Sequence, residues 1–312
     1  MTWSSTEIGV LARAVSHAPS VHNTQPWTME ARAESAELYE RFDVTLPHHD
    51  PTGRDRLISC GAALANLELA VRALGWAADI SLFPDAGHPD LVAVVGTAGR
   101  KETTAAEVER YAAIFRRHSH RHPFDLHPVS RGALRGLAGV VNEPGVQARV
   151  VDPRTECATL AELFDYAAEV LRDDRGYQRE LASWSDGPAD TTLPWGGLVR
   201  ADTHVPDTVT LTERLMREGI LMLLTPDDTR RDHLLAGVAM QQIWLAAITR
   251  GMVASVLTQP LHLHEVRSAL IERLGLAGYP QLFLRLGHPA QAGHEVPSAE
   301  DERQLSPTPA SS

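Results

Sequence analysis

Residues 18–27 read Ala18-Pro19-Ser20-Val21-His22-Asn23-Thr24-Gln25-Pro26-Trp27, and this stretch decides the fold. Each of its two prolines lacks an N–H group and biases the preceding residue away from helix, so neither a helix nor a regular strand fits. An ordered loop of this composition exposes backbone amides together with polar side chains. Such a surface can recognise the edge of a planar, polar heterocycle without carrying charge. The residues alone also allow a plainer interpretation, in which a helix ends here and a turn leads into a strand.

Composition bounds the class of protein. Hydrophobic residues make up 43% and charged residues 22% of the 312-residue chain, as in an ordinary globular protein. The net charge of −11 argues against nucleic acid or an anionic membrane as a general partner. No signal peptide is recognisable, and no stretch approaches the roughly 18 apolar residues of a membrane span. The two cysteines, Cys60 and Cys157, match neither a disulfide framework nor zinc spacing, which favours a cytoplasmic location.

Hydrophobic periodicity predicts an α+β fold. In a first half over residues 1–100, we expect a helix at 5–17 capped by Ser5 or Thr6, strands at 27–31, 37–46, 78–83 and 91–95, and a helix from Asp50-Pro51-Thr52 to Gly75. In a second half over residues 101–312, we expect helices at about 104–117, 130–141, 155–182, 230–250 and 263–274, with strands at 146–151, 220–224, 252–257 and 282–286.

Two helical segments share a layout. Residues 60–76 and 237–252 each begin with glycine and small residues, continue with an apolar face, end at a glycine and precede a strand. This similarity is typical of an internal duplication. Coincidence is the alternative, because helices rich in small residues are common packing elements.

The stretch PSVHNTQPW resembles the PSxxNxQPW loop of the nitroreductase-like flavoproteins, which bind FMN between two subunits of a dimer. The family also has a basic segment that holds the FMN phosphate, and residues 116–124, RRHSHRHPF, are similar to it. Arginine forks and a serine hydroxyl suit a phosphomonoester. A solvated basic helix end remains the alternative. The resemblance implies FMN contacts from these two segments at Ser20, Val21, His22, Asn23, Gln25, Arg116, Arg117, Ser119 and Arg121.

Two further family features lie towards the C-terminus. Gln259, Pro260 and Leu261 resemble the loop whose backbone amide faces the flavin N5, where a donated hydrogen bond stabilises the reduced flavin. Without the family, an ordinary strand–helix connection would explain this loop equally well. The family's basic C-terminal tail is replaced here by VPSAEDERQLSPTP, in which Arg303 is the lone candidate phosphate ligand.

The first half has the PSVHNTQPW loop without a preceding basic segment, and the second half has the reverse. This distribution resembles the Acg branch of the family, in which a single chain imitates the nitroreductase dimer. The similarity extends over residues 5–289. It implies one FMN per chain, and a monomer would be sufficient to form the site.

A metal site is an alternative for the alternating His118, His120 and His122, with help from His262 and His264. The flanking arginines would repel a cation and no carboxylate or cysteine is adjacent, so no metal is expected.

The family implies an oxidoreductase that uses NAD(P)H and FMN to reduce a small electron-poor acceptor such as a nitro compound or quinone. The alternative is a protein that stores or senses FMN without turnover. Residues 183–208 could decide between them, because a long aperiodic segment with Trp184 and Trp195 is typical of a lid. A closed lid over the flavin would block a nicotinamide.

Overall fold

The computed structural model describes residues 3–184, 199–201, 203 and 206–290. The fold is α+β and contains two four-stranded antiparallel sheets. The described elements follow this order: α1 (Ser5–Ser16), β1 (Trp27–Ala31), β2 (Ser35–Glu40), α2 (Arg54–Ala73), β3 (Trp76–Leu82), β4 (Leu91–Arg100), α3 (Ala105–Ile114), α4 (Arg131–Ala138), β5 (Gln147–Val150), α5 (Cys157–Asp173), α6 (Arg175–Trp184), α7 (Thr208–Arg217), β6 (Gly219–Thr225), α8 (Arg230–Thr249), β7 (Val253–Leu257), α9 (His264–Leu274) and β8 (Tyr279–Gly287).

The two sheets have the same topology. Their strand orders are β1-β2-β4-β3 and β5-β6-β8-β7, so the strands correspond one by one in chain order. In each sheet a 20-residue helix, α2 or α8, connects the second strand to the third. The second sheet differs because α5, α6 and α7 are inserted between its first two strands.

Helices α2 and α8 cross at two glycines. A Cβ on Gly61 would lie 2.0 Å from the carbonyl oxygen of Leu234, and a Cβ on Gly237 would lie 2.0 Å from that of Ile58. The absence of side chains at both positions therefore allows the two backbones to meet. The contact is reciprocal, since each glycine faces the residue three positions before the other.

The largest apolar core surrounds this crossing and extends onto both sheets. Leu221 and Leu223 of β6 belong to that core, whereas Met222 and Leu224 face a second core formed with α5, α7 and α9. The second sheet is therefore covered on both faces, which explains why β6 reads as an unbroken apolar run. No helix in the described part of the chain is long and apolar enough to cross a membrane.

Several predicted boundaries were wrong. Helix α1 is capped by Ser4 rather than Ser5 or Thr6, in a capping box with Glu7. The strand expected at 37–46 spans Ser35–Glu40. The helix expected at 155–182 is broken at Asp174, whose carboxylate accepts the N–H groups of Gly176 and Tyr177 and so begins a separate helix. Helix α7 was not predicted.

The start of α2 was also placed too early. The helix begins at Arg54, after Gly53 in the left-handed region at φ 72°. Asp50 nevertheless supplies a cap from the preceding turn, because its Oδ2 accepts the N–H of Arg56 at 2.8 Å.

Candidate functional site

The loop at residues 18–27 has a constrained backbone. His22, Asn23 and Gln25 all have positive φ values, of 47°, 57° and 46°. Such conformations are uncommon for residues other than glycine, and clusters of them are typical of functional sites. The turn over Val21–Asn23 is a single 3-10 turn rather than part of a strand. The irregular loop expected from the two prolines is therefore confirmed, and it connects the end of α1 to β1, as the plainer interpretation also predicted.

Hydrogen bonds fix this loop against α2 and against itself. The N–H of Val21 donates to Ser59 Oγ at 3.1 Å, and the N–H of Gln25 donates to Ser20 Oγ at 3.0 Å. The side chain of Asn23 is exposed, whereas Trp27 is buried in the main core. Asn23 can thus reach a ligand, while Trp27 anchors the loop.

The basic segment at 116–124 lies beside β7. Ser119 forms a parallel β-bridge with Ala254, and the N–H of His120 donates to the carbonyl oxygen of Ala254 at 2.9 Å. Because β7 leads directly into residues 258–262, the structure brings two of the predicted site segments together.

Arg117 connects this segment to the first half. Its Nη2 donates to the carbonyl oxygen of His17 at 3.3 Å, next to the start of the loop, and its guanidinium lies 4.7 Å from the ring centre of Trp244. In the described part of the chain, its buried Nε has no hydrogen-bond partner and no carboxylate forms an ion pair with it. Burial lowers the pKa of Arg117 to about 10, so the guanidinium remains charged at neutral pH. A partly buried cation of this kind is a candidate anion ligand.

The other residues predicted in the basic segment are exposed, namely Arg116, Ser119 and Arg121. Arg121 is close enough to the loop for its charge to lower the pKa of His22. Arg303 lies outside the described residues, as do residues 185–198 and 202, 204 and 205 of the segment interpreted as a lid.

Arg54, at the start of α2, holds the loop at 258–262. Its Nη1 donates to the carbonyl oxygen of Leu261 and its Nη2 to that of Thr258, both at 3.2 Å. The guanidinium also bonds Asp55 Oδ1 at 3.1 Å. A single arginine of the first half therefore fixes the loop that the second half contributes.

Gln259, Pro260 and Leu261 are all buried in that loop. The N–H of Leu261 already donates to the carbonyl oxygen of Thr258 at 2.9 Å, so this amide is not available to a ligand. Gln259 and Pro260 also line a small apolar cavity of about 20 Å³ beside α5 and Val199.

Asp55 lies at the centre of a cluster that was not predicted from the sequence. Its Oδ2 accepts from Thr258 Oγ1 at 2.5 Å and lies 3.2 Å from His262 Nε2 and 3.7 Å from His49 Nε2. His22 Nε2 in turn lies 3.1 Å from His49 Nδ1. This chain of side chains runs from the loop at 18–27 to the loop at 258–262. For His49 and Asp55 the sequence signal was the polar run HHDPTGRDR ahead of an apolar helix.

Burial determines the charges within this cluster. It lowers the pKa of His22 to about 3 and that of His262 to about 4, so both imidazoles are neutral at pH 7. Burial alone would raise the pKa of Asp55, but the hydrogen bond from His262 and the charge of Arg54 outweigh it and hold that pKa well below its usual range. Asp50 differs, because burial and the charge of Asp55 raise its pKa to about 6.

The three alternating histidines do not form the metal site considered as an alternative. His120 is buried, bonds the carbonyl oxygen of Pro123 at 3.2 Å and stacks on Phe124. His118 and His122 are exposed. Within the described ranges, the side chains close enough to share an ion are instead His49, Asp55 and His262.

The arrangement thus brings a partly buried cation, neutral imidazoles and a loop with an exposed amide side chain into one region. Three residues of that loop have left-handed backbone conformations. This combination suits a ligand that has both an anionic group and a planar polar ring.

Sequence comparison finds relatives in Mycobacterium tuberculosis. The protein named "Putative NAD(P)H nitroreductase Rv3131", from strain H37Rv, is 32% identical over 294 residues, which cover 89% of this chain and 83% of the relative. The protein named "Putative NAD(P)H nitroreductase acg", from the same strain, is 30% identical over 307 residues, which cover 92% of this chain and 90% of the relative. No protein-family model matches the chain.

Solved structures give weaker similarity. A BluB-like flavoprotein from Clostridium difficile 630 is 13% identical with a TM-score of 0.41, over 63% of this chain and 97% of that protein. A nitroreductase with bound FMN from Bacteroides fragilis is 14% identical with a TM-score of 0.40, over 61% of this chain and 95% of that protein. Family membership rests on the sequence relatives, because TM-scores this low cannot support it.

Proposed function

Because this chain belongs to the nitroreductase family, in its Acg branch, we propose that it is an FMN-dependent oxidoreductase that uses NAD(P)H to reduce a small electron-poor acceptor. When bound, FMN supplies the redox chemistry, so no side chain has to act as an obligatory acid or base. The residues of the chain bind the cofactor, orient it and exclude water from it.

The observation that carries this proposal is the meeting of three segments distant in sequence. Arg117 reaches the carbonyl oxygen of His17, and His49 lies between His22 and His262, with ring centres 4.4 and 4.7 Å away. The loop at 18–27, the basic segment and the loop at 258–262 therefore surround one region. This supports one cofactor site built from both halves of the chain.

The phosphate of FMN fits Arg117, whose buried Nε has no partner in the described part of the chain. Arg116, Ser119 and Arg121 add exposed donors in the same segment, and Arg303 is a further candidate in the C-terminal tail.

The polar edge of the isoalloxazine fits the loop residues Ser20, Val21, His22, Asn23 and Gln25. Since Ser20 Oγ already accepts from Gln25, its contribution to a ligand would be its O–H. Gln259, Pro260 and Leu261 would lie along the N5 side.

Titration of apoprotein with FMN tests the stoichiometry. We expect one FMN per chain from a monomer, and two equivalent sites would contradict a single site shared by both halves. Anaerobic mixing of the flavin-loaded protein with NADPH or NADH, followed at the flavin absorbance, then tests turnover. Tight FMN binding without reduction by either nicotinamide would contradict the oxidoreductase and favour a protein that stores or senses FMN.

Substitution of Arg117 tests the phosphate anchor. A charge-assisted hydrogen bond is worth about 1.5–3 kcal/mol, so Arg117→Ala should weaken FMN binding about 10–150-fold. Riboflavin lacks the phosphate, and its affinity should hardly change. Arg110→Ala is a suitable control because, among the described residues, the side chain of this α3 arginine donates a hydrogen bond only within its own helix, to the carbonyl oxygen of Ala106. Equal losses for FMN and riboflavin would mean that Arg117 acts through the fold.

A further inference from the structure

We propose that His49, Asp55 and His262 form a binding site for a divalent cation of the Zn²⁺ type. One potential ligand atom from each side chain lies within 4.8 Å of the other two. Two imidazole nitrogens and one carboxylate oxygen are a ligand set that first-row transition metals favour. The three side chains are only 2%, 4% and 8% exposed, so an ion bound there would be shielded from solvent.

The position of His49 points towards a cation. Its buried Nε2 has no hydrogen-bond partner among the residues that the structure describes, and it lies 3.7 Å from Asp55 Oδ2. Its Nδ1 lies 3.1 Å from His22 Nε2. If Nδ1 carries the proton and donates to His22, the Nε2 lone pair faces a carboxylate oxygen, which is unfavourable unless a cation lies between them. A metal-binding histidine commonly donates its other N–H to a neighbouring acceptor, and His22 would have that role here.

Asp55 can accommodate an ion without losing its arginine. Arg54 bonds the Oδ1 atom of Asp55, whereas both imidazoles lie near Oδ2. The Arg54 guanidinium is further held by two backbone carbonyl oxygens, so it has partners on the side away from the imidazoles. A bound ion would lie between Asp55 Oδ2 and His262 Nε2 and would replace the direct contact between these two atoms.

The ligand set also predicts selectivity. Ca²⁺ and Mg²⁺ require several oxygen ligands, and this cluster offers one carboxylate oxygen together with two nitrogens. Zn²⁺ or Co²⁺ should therefore bind, and Mg²⁺ should not. An ion at this position would join the loop at 258–262 to the segment before α2, and through His22 to the loop at 18–27.

The test uses the full-length protein after treatment with a chelator and dialysis. Zn²⁺ is titrated in competition with a chromogenic chelator, in flavin-free and in FMN-loaded protein. We expect one Zn²⁺ per chain and no competition from Mg²⁺. His49→Gln and His262→Gln should each weaken Zn²⁺ binding by more than 100-fold, and His22→Asn by about 10–100-fold, as for the loss of a partner of a metal ligand.

Neighbouring histidines provide matched controls. His48 and His264 are exposed and lie outside the cluster, so His48→Gln and His264→Gln should leave Zn²⁺ affinity unchanged. Co²⁺ added to the wild-type protein should give visible bands beyond the flavin absorption, and this measurement does not depend on the folding of any variant. Absence of these bands, or Zn²⁺ affinity equal in wild type and His49→Gln, would show that the cluster is only a hydrogen-bonding network. The flavin absorbance reports separately on the proposed function, so the two proposals can fail independently.

Discussion

Helices α2 and α8 each span 20 residues, and each follows the second strand of its sheet. The residues of their first turns nevertheless have different neighbours. At the start of α2, Arg54 and Asp55 contact the loop at 258–262 and lie beside His49 and His262. At the start of α8, Arg230 also crosses to the other half of the chain. Its Nη2 donates to Glu40 Oε2 at 2.7 Å and to the carbonyl oxygen of Pro89 at 2.8 Å.

The surroundings of Arg230 leave little that could recognise a polar ligand. Glu40 is fully buried and is also bonded by Arg56 Nε at 2.5 Å, so its carboxylate is already paired twice. The rings of Phe42 and Phe83 lie 5.6 and 5.5 Å from the Arg230 guanidinium. The repeated scaffold thus carries polar, partly unpaired groups at one helix start and an ion-paired, aromatic contact at the other. This difference is consistent with one functional site per chain.

The largest difference in unfolding free energy should appear between the variants that replace Arg54 and Arg230. Arg54→Met would leave Asp55 buried without its cationic partner, and such changes typically cost about 3–5 kcal/mol of unfolding free energy. Arg230→Met should cost less than about 1 kcal/mol, because its side chain is 43% exposed and Glu40 keeps Arg56. Urea denaturation of both variants measures this. Equal losses would mean that the two helix starts are energetically equivalent.

The helix crossing should be equally sensitive on both sides. Gly61→Ala and Gly237→Ala would each place a Cβ 2.0 Å from a backbone oxygen, and we expect about 1–3 kcal/mol of destabilisation from each. Gly9→Ala in α1 is the control, because a Cβ at this position would meet no described atom within 4 Å apart from the local backbone of its own helix, and the change should be neutral or slightly stabilising. Thermal melting gives the comparison. A large loss of thermal stability in only one of these two variants would show that the two sides of the crossing are not equivalent.

A smaller expected effect is the contribution of Asp228, just before α8, to the pH dependence of stability. Asp228 accepts from both Nη atoms of Arg267 at 2.8 Å, and contacts His233 and Gln281. Burial would raise the pKa of Asp228, but these partners outweigh it and lower that pKa. A lowered carboxylate pKa stabilises the fold above about pH 4, and the contribution is lost as the pH falls below that.

Unfolding free energy measured between about pH 6 and pH 3 should therefore fall less in Asp228→Asn than in wild type. Asp85→Asn is the matched control, since the Asp85–His88 pair is exposed and should contribute little. An unchanged acid sensitivity in Asp228→Asn would place the acid-labile contacts elsewhere.

Local sequence signals predicted the irregular loop and most of the strands. Two prolines and several small polar residues fix the loop at 18–27 within ten positions, so its character is readable without tertiary information. The same local rules missed the break at Asp174, because a capping aspartate inside a helical pattern resembles an ordinary helix residue. They also extended β2 past Glu40, since Phe42, Val44 and Leu46 continue an alternating pattern.

The cluster around Asp55 could not be read from sequence in this way. Thr258 and His262 are more than 200 positions from Asp55, and only the packing of the two halves brings them together. The resemblance to a known family identified the loop segments but not the arginine that holds one of them. Arg54 was hidden because charged residues at a helix start are expected on the surface, whereas its side chain is only 3% exposed.

The reciprocal contact of Gly61 and Gly237 has a consequence for how this protein responds to dilution. In a homodimer, the pairing of two such helices depends on subunit concentration, and a site between the subunits is lost when they separate. Here both helices belong to one chain, so their association is intramolecular and does not depend on the concentration of the protein. A cell could therefore keep only a few copies of this chain and still have every copy with its two halves assembled.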